Sequence, residues 1–268
     1  MMKKVLATVL AAALAAGTMI MPAMAAESTG LLAEIQERGK IIVATEGAWA
    51  PWTYHDEDMN LVGFDVEVAA AIAEKLGVEV EFKETEWSGI FAGLDAGHWD
   101  IVANGVEITD ERAEKYDFSD PYAFTHTALI VRDDNEDITT FADLEGKKVA
   151  NSLNSTYALL AEANGANAID VEELGQCLEQ VIQGRVDATL NADVSFYDYM
   201  NQKEDAPIKV VALTEECDKI CIPVRKGEES ADLIAAINKA IAELAEEGVL
   251  TELSVKYFGN DISKEVVE

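Results

Sequence analysis

The feature that most constrains the fold is a strand-and-helix pattern that occurs twice along the chain. Lys40–Thr45 reads KIIVAT, a continuous apolar run typical of a strand buried in a parallel sheet. Gly63–Leu76 has apolar residues at four-residue spacing, which predicts a helix capped by Asp65 and ended by Gly77. The next segments are a strand at Val78–Phe82, a helix at Ser88–Ala96 and a strand at Asp100–Ala103. This order predicts a parallel sheet covered by helices.

The same order recurs in the second half of the chain. Its segments are the strand Lys147–Asn151, the helix Ser155–Asn164, the strand Ala168–Val171, the helix Leu178–Gln183 and the strand Val186–Leu190. Both halves contain the pattern Gly-x-apolar-Asp-x-x-x-Asn, at Gly97–Asn104 and at Gly184–Asn191. We therefore predict two similar α/β lobes. Since ligands of open parallel sheets bind at the carboxyl ends of the strands, a binding cleft between the lobes is expected.

Residues 1–25 are predicted to be a secretory signal peptide. Lys3 and Lys4 precede an apolar stretch, and Ala23 and Ala25 form the A-x-A pattern that signal peptidase reads. The alternative is a transmembrane anchor, but the apolar run is short and is interrupted by polar and glycine residues. No cysteine lies near the cleavage site, so we expect no lipid anchor and a periplasmic location.

Composition excludes several classes of function. The chain has 20 Lys and Arg residues against 51 Asp and Glu residues, and its net charge of −31 disfavours binding to nucleic acid or to an anionic membrane. Its three histidines and three cysteines show no metal-ligand spacing. No nucleophile, phosphate-loop or dinucleotide motif is present, and we expect no metal or cofactor, but the residues alone leave open either a binding protein or an enzyme. A disulfide between Cys217 and Cys221 would require a turn, and free thiols are the alternative.

Two loops of the first half carry candidate binding residues. Trp49 and Trp52 follow the first strand, where tryptophans form either a core or a ligand wall. In the second loop, Thr109 is expected to cap a helix that contains Arg112. The planar fork of an arginine suits a carboxylate, and a surface salt bridge is the alternative.

Two loops of the second half carry complementary groups. Ser155 and Thr156 open a predicted helix, whose N-terminus suits an anionic group or is simply capped. Asp193 follows the last strand, where a carboxylate suits an ammonium group. A carboxylate facing an arginine across a cleft would bind a zwitterion.

Several longer stretches identify a family resemblance. They are TEGAWAPWTYHD (Thr45–Asp56), LVGFDVEVAAAIAEKLGV (Leu61–Val78), GVEITDER (Gly105–Arg112), DFSDPY (Asp117–Tyr122) and VLTELSVKYFG (Val249–Gly259). Over nearly all of its length after residue 25, the chain resembles the periplasmic polar amino-acid-binding proteins of ABC importers, bacterial extracellular solute-binding protein family 3. The stretches TEG, FKETEW (Phe82–Trp87), VANGV, NSLNSTY (Asn151–Tyr157) and DATLN most resemble the cystine- and cysteine-binding branch.

The resemblance implies roles for individual residues. Arg112 would clamp the α-carboxylate of the ligand, helped by Thr156 and backbone groups near Gly105, while Trp49 and Trp87 would wall the ligand. The resemblance also implies an aspartate for the α-ammonium, but Ala192 occupies that position. The ammonium would then fall to Asp193, Glu46 or Glu107. The ligand-binding residues expected are Glu46, Trp49, Trp52, Trp87, Asn104, Gly105, Glu107, Arg112, Ser155, Thr156 and Asp193.

The implied fold is the two-lobed periplasmic-binding-protein fold (type II), an α/β fold in which helices flank a mostly parallel sheet in each lobe. Lobe 1 would comprise residues 26–127 and 225–268, and lobe 2 residues 128–224, with chain crossings near 126–131 and 221–225. The implied function is capture of a polar L-amino acid, cystine or cysteine, by a monomer that closes and delivers it to an ABC transporter permease. The alternative is a periplasmic enzyme on the same fold, such as a dehydratase of a cyclic acid.

Overall fold

The computed structural model describes residues 30–265, so the expected signal peptide lies outside the described residues. Within that range the α-helices are α1 (Leu31–Arg38), α2 (Phe64–Leu76), α3 (Trp87–Asp95), α4 (Asp110–Lys115), α5 (Thr156–Ala163), α6 (Leu174–Ile182), α7 (Asp193–Gln202), α8 (Ala231–Glu246) and α9 (Val249–Phe258). Short 3-10 helices lie at Phe141–Leu144 and Glu228–Ser230. None of the helices in this part of the chain is long and apolar enough to cross a membrane.

The strands of the same range are β1 (Lys40–Thr45), β2 (Tyr54–His55), β3 (Leu61–Val62), β4 (Glu79–Glu84), β5 (Ile101–Val102), β6 (Tyr116–Phe118), β7 (Ala123–Thr125), β8 (Thr127–Arg132), β9 (Lys148–Asn151), β10 (Asn167–Asp170), β11 (Ala188–Ala192), β12 (Ile208–Leu213), β13 (Asp218–Ile220) and β14 (Pro223–Arg225). They form two five-stranded sheets, in the orders β4-β1-β5-β14-β6 and β10-β9-β11-β8-β12. In each sheet a single strand, β14 or β8, runs antiparallel to both of its neighbours. The predicted α/β fold with two mostly parallel sheets is confirmed.

The repeated Gly-x-apolar-Asp pattern has the same structural use in both sheets. The backbone N–H of Ile42 donates to Asp100 Oδ2 at 2.7 Å, and that of Lys148 donates to Asp187 Oδ2 at 2.7 Å. Each aspartate lies just before its own strand begins, and its carboxylate accepts the backbone N–H of a residue in the neighbouring parallel strand. Each hydrogen bond gives a partner to an amide at the start of a strand, which explains why both units carry the residue.

The chain crosses between the two sheets at two adjacent segments. Strands β7 and β13 pair with each other in an antiparallel two-stranded sheet, separate from both larger sheets. Strand β8 lies wholly in the second sheet, and β14 lies in the first. The chain therefore passes from one sheet to the other between β7 and β8 and again between β13 and β14. The lobe boundaries given above stay a prediction.

The C-terminal helices pack on the first sheet. Leu233 and Ile237 of α8 and Leu250 of α9 belong to one buried cluster with Phe64 and Ile72 of α2. Separate clusters bury the faces of the second sheet. Most of the hydrophobic core is thus divided between the two sheets, although Ala192 and Val194 of the second lobe pack in the cluster of the first.

One side-chain role differs from expectation, and the cysteine pairing left open by the sequence is resolved. Asp65 does not cap α2: it is fully buried and accepts hydrogen bonds from the hydroxyl of Tyr122, at 2.8 Å, and from the backbone N–H of Gly105. The three cysteines are free, and Cys217 and Cys221 lie on either side of β13, where an extended strand keeps them apart.

Candidate functional site

A cavity lies between the two sheets and contains about 570 Å³ of space free of protein atoms, including its mouth. The residues that line it are Glu46, Ala48, Trp49, Trp87, Asn104, Gly105, Arg112, Asn151, Ser152, Ser155, Thr156, Tyr157, Glu172, Glu173, Leu174, Cys177 and Asn191. They come from loops at the carboxyl ends of strands in both lobes, where the parallel sheets predict a site.

Arg112 supplies the positive charge of the cavity wall. The Thr109 side chain caps α4 by accepting the backbone N–H of Arg112 at 3.2 Å, as expected. Arg112 Nη1 donates to the carbonyl oxygen of Glu107 at 2.9 Å, and its Cζ lies 5.2 Å from the ring centroid of Trp87. Burial lowers the pKa of Arg112, opposed by the nearby Glu107 carboxylate, but an arginine remains charged at neutral pH. The guanidinium is therefore held in one orientation.

The N-terminus of α5 faces Arg112 from the second lobe. Ser155 caps this helix by accepting the backbone N–H of Ala158 at 3.1 Å. Arg112 Nη2 donates to the carbonyl oxygen of Asn154 at 3.4 Å, which joins the two lobes at this point. A helix N-terminus and a guanidinium at the same wall form a receptor for an anionic group.

The two tryptophans of the first loop have different surroundings. Their rings stack with centroids 5.4 Å apart, and Trp49 lines the cavity whereas Trp52 is 0% exposed. Trp49 Nε1 donates to Asn191 Oδ1 at 3.1 Å, and Trp52 Nε1 donates to Ser195 Oγ at 3.0 Å. Trp49 therefore forms a cavity wall and Trp52 supports it from the core.

Glu46 and Asn104 form a bonded pair at the floor of the cavity. Asn104 Oδ1 accepts the backbone N–H of Glu46 at 2.8 Å, and Asn104 Nδ2 donates to Glu46 Oε2 at 2.5 Å. Burial raises the pKa of Glu46 to about 7, and repulsion from Glu172 and Glu173 adds to the effect. A positive group next to Glu46 would reverse this shift and favour the ionised carboxylate.

Most of the residues expected from the sequence line the cavity together. They are Glu46, Trp49, Trp87, Asn104, Gly105, Arg112, Ser155 and Thr156. Trp52, Glu107 and Asp193 are not among the residues that line it. The Glu107 side chain is hydrogen-bonded to Thr156, and burial raises the pKa of its carboxyl group. Asp193 begins α7, and its Oδ1 accepts the backbone N–H groups of Val194, at 2.8 Å, and of His126, at 3.3 Å.

Sequence reasoning missed the segment between β10 and α6. This segment contributes Glu172 and Glu173 to the cavity, and the beginning of α6, which follows it, contributes Leu174 and Cys177. The segment contains no aromatic residue, arginine or hydroxyl group that would have drawn attention to it. The available signal was its place directly after a parallel strand, which is the same criterion that indicated the other loops.

Comparisons of sequence agree with the resemblance. The profile of the bacterial extracellular solute-binding proteins, family 3, matches residues 41–260. The L-cystine-binding protein TcyA of Bacillus subtilis is 41% identical over 89% of this chain and 88% of its own length. The L-cystine-binding protein TcyJ of Escherichia coli strain K12 is 37% identical over 98% of this chain and 97% of its own length.

Solved structures show the same fold in different conformations. An ancestral arginine-binding protein bound to arginine is 37% identical, with a TM-score of 0.77, over 83% of this chain and 99% of its own. The ancestral amino acid-binding protein AncCDT-1, a precursor of cyclohexadienyl dehydratase, is 32% identical over 85% of this chain and 99% of its own, also with a TM-score of 0.77. The L-cystine solute receptor of Neisseria gonorrhoeae, in its unliganded open conformation, is 42% identical over 88% of this chain and 100% of its own. Its TM-score is nevertheless only 0.59.

The match of the profile and the identity to several relatives extend over nearly the whole of the described chain. The two-lobed fold agrees with both. The chain therefore belongs to family 3 of the bacterial extracellular solute-binding proteins.

Proposed function

We propose that the chain captures a polar L-amino acid, with cystine or cysteine as the ligand, and presents its closed form to the permease of an ABC importer. The observation that carries the proposal is Arg112, which lines the cavity between the lobes next to the N-terminus of α5. This pair suits the α-carboxylate of an amino acid. The names of TcyA and TcyJ, both L-cystine-binding proteins, support cystine.

The family is extracellular, so the chain acts outside the cytoplasm. We propose the periplasm as the compartment, with cleavage of the signal peptide after Ala25. The protein would act there as a monomer, since closure of one cleft requires no second copy.

The need to pair both charges of the ligand identifies the residue proposed to bind its α-ammonium group. Closure around a zwitterion is favourable only if both charges are paired as water leaves, because an unpaired buried charge costs several kcal/mol. Ala192 is buried and apolar, and the carboxylate of Asp193 already accepts two backbone amides. Of the three acids considered for the α-ammonium, Glu46 is the one that lines the cavity, and we assign it this role.

The test is a binding screen of residues 26–268 against the twenty amino acids and cystine. At a hundredfold excess over Kd, a ligand stabilises the folded protein by about 2.7 kcal/mol, which raises the melting temperature by several degrees. We expect a shift with cystine, and titration calorimetry then gives the Kd. A screen in which no amino acid raises the melting temperature would overturn the proposal.

Arg112→Ala is expected to abolish binding while leaving the melting temperature of the ligand-free protein nearly unchanged. Its hydrogen bonds to the protein are to two loop carbonyl groups, which water can satisfy after the substitution. Arg132→Ala is the matched control, because Arg132 pairs with the exposed Asp134 and does not line the cavity. Native affinity in Arg112→Ala would refute the role of Arg112.

The alternative function, a dehydratase of a cyclic acid, is favoured by one observation. A carboxyl group with a pKa of about 7, such as that of Glu46, is suited to general acid–base catalysis. The ancestral structure described as a precursor of cyclohexadienyl dehydratase shows that the fold is related to such an enzyme. Turnover of a cyclohexadienyl acid that is lost in Glu46→Gln would establish the enzyme, whereas cystine binding without turnover supports the binding protein.

A further inference from the structure

The segment between β10 and α6 places two acids at the cavity, Glu172 and Glu173, called here the acidic pair. Glu172 Oε2 is buried and makes no hydrogen bond to any residue in the described range. A buried carboxylate oxygen without a donor is costly, and native proteins seldom retain one without a use. Glu172 can therefore accept a hydrogen bond from a donor that the protein itself does not supply.

The charge of the cavity wall is unbalanced at this place. Arg112 is the one positively charged side chain among the described residues that line the cavity, and the carboxylates that act on it most strongly are those of Glu107 and Glu111. The negative charges of the acidic pair instead raise the pKa of Glu46. The wall thus has one cationic group, Arg112, and three carboxyl groups, those of Glu46, Glu172 and Glu173, which can carry more negative charge than one α-ammonium group neutralises.

The remaining groups near the acidic pair favour an extended, partly apolar ligand. Leu174 and Cys177 line the same part of the wall, and the Cys177 thiol donates to the carbonyl oxygen of Val171. Burial raises the pKa of Cys177 to about 12, so the thiol stays protonated at neutral pH. A neutral thiol is a poor nucleophile and would not attack a disulfide in the ligand.

We propose that Glu172, assisted by Glu173, binds a second cationic group at the far end of the ligand. This rests on the proposed function, in which Arg112 holds the carboxylate and Glu46 the ammonium of the near end. The ligand class is then an amino acid with two cationic groups, such as cystine with its second ammonium group. A ligand with a single ammonium group, such as cysteine, leaves the acidic pair unpaired.

Two mixed disulfides of cysteine test the proposal in the wild-type protein. The disulfide with 2-aminoethanethiol keeps the far ammonium and lacks the far carboxylate, and the disulfide with 3-mercaptopropionic acid does the reverse. By calorimetry, we expect the Kd of the first disulfide to lie within about threefold of that of cystine. The second should bind at least about tenfold more weakly than cystine, since a tenfold change in Kd corresponds to only about 1.4 kcal/mol. Equal affinity of the two disulfides would overturn the proposal.

Glu172→Gln tests the residue itself. We expect the preference for the aminoethyl disulfide over the carboxyethyl disulfide to fall at least about fivefold, because a neutral amide pairs less well with an ammonium group. Glu179→Gln is the matched control, since Glu179 lies exposed on α6 and accepts a hydrogen bond from Gln183. An unchanged preference in Glu172→Gln, with an unchanged melting temperature, would overturn the role of Glu172.

The outcomes separate this inference from the proposed function. Binding of cystine and of both disulfides with equal affinity leaves the proposed function intact and removes the inference. If arginine binds and cystine does not, the choice of cystine fails, and citrulline becomes the neutral comparator. Weaker binding of citrulline than of arginine would then support the acidic pair, and equal binding would overturn it. A protein that binds no amino acid refutes both proposals.

Discussion

At the scale of the residue, Gly105 determines how closely the Trp49 ring approaches the backbone of the cavity wall. Its φ of 54° is left-handed, and a Cβ at this position would lie 2.6 Å from Cζ3 of Trp49. Gly105→Ala must therefore displace the ring or the turn, in addition to a backbone cost of about 1–2 kcal/mol. We expect cystine affinity by calorimetry to fall at least about tenfold and the melting temperature to fall by a few degrees.

The control for this prediction is Gly175→Ala in α6. A Cβ there meets no heavy atom within 4 Å, and alanine favours a helix over glycine by about 0.5–1 kcal/mol. The variant should keep its affinity and melt slightly higher than the wild type. If Gly105→Ala bound cystine as tightly as Gly175→Ala, the close packing of Trp49 would have no part in binding.

Residue chemistry predicted the cationic end of the site better than the anionic end. A hydroxyl residue ahead of a helix has one main use, and Thr109 and Ser155 both proved to be caps. The sequence could not separate Trp49 from Trp52, since both are apolar rings in one loop and only packing makes one of them the core. Glu172 was hidden among 51 acidic residues, and only its burial distinguishes it.

At the scale of the element, periodicity predicted the long segments and missed the short ones. Strand β1 has the predicted bounds, and α2 begins one residue after its predicted start and ends where predicted. Strands β7 and β13 have only three residues each, which is too short for alternation to show. Helix α7 was missed because its sequence, DVSFYDYMNQ, combines aromatic and polar residues without a clear apolar stripe.

The β7–β13 pair carries a prediction about pH. Asp218 begins β13, and its Oδ2 accepts the hydroxyl of Thr127 at 2.8 Å. Burial, followed by the charges of Glu107 and Asp193, raises the pKa of Asp218 to about 7. Below about pH 4 both the folded and unfolded states keep this proton. Between about pH 4 and 7 only the folded state keeps it, so the contribution of Asp218 to the free energy of unfolding falls as the pH rises.

Asp218→Asn removes the buried negative charge that lowers the free energy of unfolding at high pH. We expect the variant to melt several degrees above the wild type at pH 8, since about 1 kcal/mol corresponds to about 2–4 °C for a protein of this size. The difference should shrink towards pH 4, as measured by calorimetric melts across the range. Asp134→Asn is the control: Arg132 lowers the pKa of Asp134, so its removal should give no gain at pH 8. A difference for Asp218→Asn that does not change with pH would contradict the prediction.

At the scale of the whole molecule, side-chain hydrogen bonds hold the lobes together across the cavity. Trp49 joins Asn191, Trp52 joins Ser195 and Arg112 joins the backbone of Asn154. The comparison structures are consistent with a closed arrangement, because the TM-score is 0.77 with an arginine-bound protein and 0.59 with an open receptor of higher identity. The local sequence could not predict these bonds, since Trp49 and Asn191 are 142 residues apart.

Trp49→Phe tests whether such a bond stabilises closure. Phenylalanine keeps an aromatic ring against Trp52 but loses the Nε1–H donor to Asn191, a hydrogen bond worth about 0.5–1.5 kcal/mol. Because this bond joins the two lobes, its loss lowers the population of the closed form and with it the apparent affinity. We expect cystine to bind about 2–10-fold more weakly by calorimetry. Small-angle scattering should show that more ligand is needed for the same decrease in radius of gyration.

Trp99→Phe is the matched control because Trp99 Nε1 donates to the carbonyl oxygen of Ile90 at 3.0 Å, inside the first lobe. It removes the same kind of donor without touching the contact between the lobes. This variant should therefore melt at a lower temperature while its affinity and its scattering titration stay those of the wild type. If Trp49→Phe also changed only the melting temperature, its hydrogen bond would stabilise the fold in both conformations. Closure would then depend on the ligand's own pairing with Arg112 and Glu46.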